Sequence, residues 1–138
     1  VGEGASQMKY QLKKGKNIWY SFKMELGEDL GAKYYDSELR EVDPFRIKNP
    51  VDAARVFFAY LKYLIIKYCT ENNISTDILY AVSIPASFEA NQRKDLLDAL
   101  MANDMKVSKQ ALIDECGFYQ LCCITGSRRP PHVHKPRL

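Results

Sequence analysis

The chain has 138 residues, 46% hydrophobic and 27% charged, which excludes disorder as the default and suits one domain. Its longest apolar stretch, residues 56–66, falls short of the ~20 residues of a membrane span and contains Lys62, so it reads as core helix. The net charge of +3 is uneven: all 17 acidic residues and 16 of the 20 basic ones lie within residues 1–115, whereas residues 116–138 hold four basic residues and no acid.

Nothing near Val1 has the charged start and apolar middle of a signal peptide, so the expectation is an internal piece of a longer, cytoplasmic polypeptide. Residues 1–6 read as the end of a strand or a loop. Lys13-Lys14-Gly15-Lys16-Asn17 reads as a solvated turn. Ile18, Trp19, Phe22 and Leu26 fall at helical offsets, and Gly27 stops that element. Residues 27–48 are charged and punctuated by Gly31 and Pro44, hence mostly loop, with a short strand or turn at 44–47.

The clearest element begins at Asn49. Asn is a helix cap, Pro50 fits the first helical position, and Asp52 suits the positive end of the dipole. Ala54, Phe57, Phe58, Leu61, Leu64, Ile65 and Tyr68 then form one broad apolar face of a helix of about five turns ending near Asn72 and Asn73. Residues 78–84 are nearly all apolar or β-branched, the pattern of a strand covered on both faces, and Pro85 ends it. Helical spacing resumes over residues 89–103, and residues 110–114 read as another buried strand. Helix, strand, helix, strand is the order of a parallel α/β crossover.

Several chemistries find no support. Gly2-Glu3-Gly4 lacks the remainder of a phosphate-binding glycine loop. Both His residues, His132 and His134, lie in the atypical tail, which argues against a Ser-His-Asp triad. Cys116, Cys122, Cys123, His132 and His134 are zinc-ligand types, but no Cys-x2-Cys pair occurs and adjacent cysteines cannot easily face one ion, so no metal site is expected. Four scattered cations without interleaved aromatics predict no nucleic-acid partner, and no membrane partner is expected either.

The informative run is residues 81–115, AVSIPASFEANQRKDLLDALMANDMKVSKQALIDE. Ile84-Pro85-Ala86-Ser87-Phe88, Gln92-Arg93 and the closing Asp114-Glu115 stand in that order; upstream are Val1-Gly2-Glu3-Gly4-Ala5 and Phe22-Lys23-x-x-Leu26-Gly27. Across residues 1–115 this order resembles the nucleotide-binding domain of the DnaK-type chaperones, the heat-shock protein 70 family. There a strand ends in Val-Pro-Ala-x-Phe, a helix opens x-x-Gln-Arg, and a second strand closes in Asn-Glu-Pro. Here Cys116 stands where that Pro is expected.

The resemblance implies an α/β fold: part of an actin-like ATPase (ribonuclease-H-like) lobe, a mixed sheet with helices, over residues 1–115. Residues 116–138 would form an irregular, largely disordered tail. It implies that Lys23 reaches the phosphate region, where a cation stabilises a transferring phosphoryl group. Glu115 corresponds to a glutamate near hydrated Mg²⁺. Pro85 and Arg93 match residues that relay nucleotide state between domains. ATP and Mg²⁺ are thus the cofactors of a full-length relative. Its partners would be the remainder of the nucleotide-binding domain, a substrate-binding domain, unfolded polypeptides and co-chaperones.

The paired Asp-x-Gly-Thr hairpins that grip the triphosphate do not occur; Asp29-Leu30-Gly31 continues with Ala32. The chain alone is therefore expected to bind no nucleotide tightly and to be inactive. An acid-free, Cys- and Arg-rich stretch beginning inside a motif is what a shifted reading frame produces. The competing expectation is a non-enzymatic interaction or self-associating module.

Overall fold

The computed structural model describes residues 2–28, 35, 37, 39, 40 and 42–114. The tail 116–138, with its expected disorder and its zinc-ligand types, lies outside the described residues. So do Glu115 and residues 29–34.

Helix α1, Glu3–Gln7, opens the described chain and passes into a 3₁₀ turn, Met8–Tyr10. The strand end or loop expected there is thus a helix. No residue of it is buried, so hydrophobic spacing gives it no signature. The lysine-rich turn forms as expected. The Lys13 carbonyl accepts from Lys16 and Asn17, and Gly15, at φ +84, donates to Ile18.

Residues 18–26 are helical only over the 3₁₀ turn Phe22–Glu25. Ser21 adopts left-handed φ +61, which a helix cannot continue through. The kink sends Trp19, Phe22 and Leu26 to two separate cores. Leu26 enters one, Trp19 packs on the other, and Phe22 touches both.

Helix α2, Pro50–Glu71, starts as its sequence dictates. Asn49 Oδ1 accepts the Asp52 N–H at 2.8 Å, and Asp52 Oδ2 accepts the Lys48 N–H at 3.0 Å. Its end is a Schellman closure: Ile74 N–H donates to Cys69 O, Asn73 N–H donates to Thr70 O, and Asn73 sits at φ +55. The apolar face is only half used. Ala54 and Phe58 are buried and Phe57 and Leu61 pack on the core, but Leu64, Ile65 and Tyr68 are exposed.

Strand β1, Tyr80–Ile84, runs parallel to β2, Val107–Asp114, and helix α3, Ala90–Met101, connects them. The expected α/β crossover is therefore present. The sheet expected to be mixed is, among the described residues, this single parallel pair. β1 is covered on one face rather than two: Ile84 is buried, Tyr80 and Val82 are half-buried, and Ala81 and Ser83 are exposed. The register pairs Tyr80 with Val107 but Val82 with Leu112, so β2 accommodates three extra residues across that step.

The α3 start is a capping box between Glu89 and Gln92. Its end repeats the α2 closure, with Met105 N–H donating to Leu100 O, Asp104 N–H to Met101 O, and Asp104 at φ +50. The main core lies where α2 and α3 cover one face of the strands. Leu26, Ala54, Phe58, Ile84, Phe88, Leu96, Ala99, Leu100 and Met105 are buried there. Leu26, Ile84 and Leu100 are fully enclosed, each contributing about 1.5–3 kcal/mol of burial.

Candidate functional site around Phe88

Parallel strands place ligands at their carboxyl ends, where loops and helix starts converge. β1 and β2 end abreast, with Ile84 opposite Asp114. Pro85 follows Ile84 and, having no N–H, adds nothing to the ladder. The chain then turns, and Phe88 N–H donates to the Pro85 carbonyl at 3.1 Å. The Phe88 carbonyl accepts from Arg93 Nε at 2.9 Å. Pro85 and Arg93 thus hold the two backbone polar groups of one residue.

The Phe88 ring is buried in the main core, and the Lys23 ammonium lies 5.7 Å from its centroid. That is within cation–π range, worth about 0.5–1 kcal/mol at an exposed site. Three of the four residues singled out in the sequence, Lys23, Pro85 and Arg93, therefore meet at Phe88. The fourth, Glu115, lies outside the described residues. Arg93 Nε serves Phe88, while the neighbouring Lys94 bonds Asp98 at 2.8 Å, which raises the Lys94 pKa.

The turn bearing Lys23 is anchored on both sides. Its Glu25 carboxylate accepts from the Tyr35 hydroxyl and pairs with Lys14. Burial first, then the hydrogen bond and charge of Glu25, pushes the Tyr35 hydroxyl well above the ordinary phenol value. Two more ammonium groups, of Lys9 and Lys14, lie 4.9 and 5.0 Å from the Tyr20 ring centroid. On the other side, Gly27 N–H donates to Asp95 Oδ2 at 2.7 Å, and Gly27 O accepts from Asn91 Nδ2 at 3.0 Å.

Sequence reasoning singled out neither Phe88 as the meeting point nor Asn91 and Asp95 as anchors. Phe88 did stand in the quoted motif, and Gly27 was legible as a stop signal. Among the described residues no group of three or more His, Cys, Asp or Glu could hold a metal ion, and no helix is long and apolar enough to cross a membrane. No protein-family model matches the chain, and a search of curated proteins finds no match.

Proposed function

We propose that this chain is part of the nucleotide-binding domain of a DnaK-type chaperone, an actin-like ATPase lobe. In the whole protein, ATP binding and hydrolysis in the cytoplasm would be coupled to holding unfolded polypeptide. The observation that carries this reading is the convergence of Lys23, Pro85 and Arg93 on Phe88 beside the carboxyl ends of two parallel strands. An exposed ammonium beside such strand ends is the kind of group that meets a phosphate, which supports the reading at Lys23. Lys23 would meet the terminal phosphoryl, and Glu115 would hold hydrated Mg²⁺, which supplies charge neutralisation between phosphate oxygens when bound. Pro85 and Arg93 would carry the state of that site outward, with a fixed φ and a long cation as the moving parts.

The coding DNA tests this reading. Its flanks are expected to encode an Asp-x-Gly-Thr-type hairpin ahead of Val1 and a second beyond Glu115, the latter one base out of frame after codon 115. Flanks encoding neither hairpin in any frame overturn the assignment.

A second reading, a non-enzymatic self-associating module, is favoured by one feature. The second half of α2 exposes Tyr63 (60%), Tyr68 (61%) and Leu64 (40%), apolar surface of the kind that marks interaction sites. Sedimentation separates the two, because this reading requires concentration-dependent association that Tyr63→Ser with Tyr68→Ser abolishes.

A further inference from the structure

Gly27 is gripped at both of its backbone polar groups by one helix. Asp95 takes its N–H, and Asn91 donates to its carbonyl. Positions four apart on a helix share a face, so α3 presents both side chains to the same residue. The approach is close: Gly27 stands at φ +81, and a Cβ there would lie 2.7 Å from Asn91 Nδ2. Gly27 directly follows Leu26, which is 1% exposed and closes the turn that carries Lys23. The same helix bears Arg93, whose guanidinium fixes the carbonyl of Phe88.

We propose that Asn91 and Asp95 are positioning residues for Lys23. By gripping Gly27 they fix the end of its turn and hold the ammonium over the Phe88 ring, so that α3 sets both the cation and the ring beneath it. The purpose of that placement rests on the nucleotide-cleft reading; the grip itself does not. A lysine serving a phosphoryl group must be held to within a fraction of an ångström. Its stem is flexible, so a fixed backbone beneath it removes part of the ordering cost.

The test uses the full 138-residue chain and two readouts, the NMR shift of the Lys23 ε-methylene, which the Phe88 ring moves upfield, and hydrogen exchange at the Gly27 amide. Asp95→Ala is expected to abolish the upfield shift and bring Gly27 exchange to that of an exposed loop. Asn91→Ala is expected to abolish the upfield shift. Asp95→Asn, which keeps an acceptor oxygen for the Gly27 N–H, is expected to retain both signals. Asn103→Ala is the control for simple destabilisation. Asn103 Nδ2 bridges Arg55 O on α2 and Ala99 O on α3, so its loss lowers the melting temperature while Lys23 stays in place.

An unmoved Lys23 signal in Asp95→Ala, or an equal shift in Asn103→Ala, overturns the proposal. Should Asp95→Ala unfold the chain, the comparison of Asn91→Ala, expected to move Lys23, with Asp95→Asn, expected not to, decides in its place. Failure of the grip leaves the flanking-DNA result untouched. Absent phosphate hairpins, conversely, remove the nucleotide and leave the NMR result standing.

Discussion

Arg93 Nε donates to the carbonyl of Phe88 at 2.9 Å, five residues back along the chain, and so staples the turn after β1 to the first turns of α3. The bond is partly buried and charge-assisted, the class with the larger net contributions. Arg93→Ala is expected to cost about 1.5–3 kcal/mol, read as a lower urea midpoint with an unchanged slope, together with faster exchange at the Phe88 amide. Arg93→Lys is expected to recover little of this, because an ammonium lacks the guanidinium Nε–H at that place. Full stability in Arg93→Ala would show that the staple carries no load.

Gly27→Ala combines a left-handed φ of +81 with a Cβ pushed to 2.7 Å from Asn91 Nδ2 and 3.0 Å from Gln92 Cγ. A loss of about 1–3 kcal/mol is expected from backbone strain and the displaced anchor together. Equilibrium unfolding in urea measures it, and a change within about 0.5 kcal/mol, the ordinary range of surface substitutions, contradicts it.

Alkaline pH should weaken the fold through Tyr35. Its folded pKa is raised above the ordinary 10.0 by burial and by Glu25, so the folded state keeps the phenolic proton where the unfolded chain gives it up. This contribution is fully present below pH 10.0 and is lost as pH climbs from there toward the raised value. Tyr80 is shifted in the same direction, by burial and then by Cys69, and adds the same sign. Urea midpoints followed from neutral pH upward should fall above 10.0 in the parent chain and fall less steeply in Tyr35→Phe. Equal slopes would remove Tyr35 from the account.

Calorimetry with ATP and Mg²⁺ should give no binding at micromolar affinity for this chain. One ammonium and one carboxylate cannot replace the rings of backbone donors that enclose a triphosphate. A saturable heat at that affinity would show that the phosphate hairpins are dispensable.

Both long helices close with a non-glycine residue in the left-handed region, Asn73 at φ +55 and Asp104 at φ +50. Asn and Asp tolerate that conformation better than other L-residues, though glycine is freer still. Asn73→Gly and Asp104→Gly are each expected to raise stability by about 0.5–1 kcal/mol, visible as higher melting temperatures. A drop in both would mean that their side chains hold the closures.

What the sequence revealed was local. Asn49, Pro50 and Asp52 announce a helix start within four residues, and Pro85 ends a strand by lacking a donor, so these features stood where they were read. Residues 18–26 had helical spacing as well, but one left-handed Ser21 divides them, and no periodic pattern reports a single backbone angle. Periodicity also shows that a face is apolar without showing that anything covers it, which is why Leu64, Ile65 and Tyr68, read as part of the apolar face, stand exposed. At the site, Lys23 was marked by its motif alone. The Gly27 anchors join residues 68 and 64 positions apart, and polar pairs at such separation leave no local signal.

The surplus of three residues in β2 is an odd number, and in a pleated strand parity decides the side on which a residue emerges. Val107 and Leu112 are five apart, so an uninterrupted ladder would turn one of them outward. Both pack against the same core as Tyr80 and Val82. The break in pairing thus acts as a half-rotation built into the strand, giving two inward side chains to a stretch whose letters do not alternate.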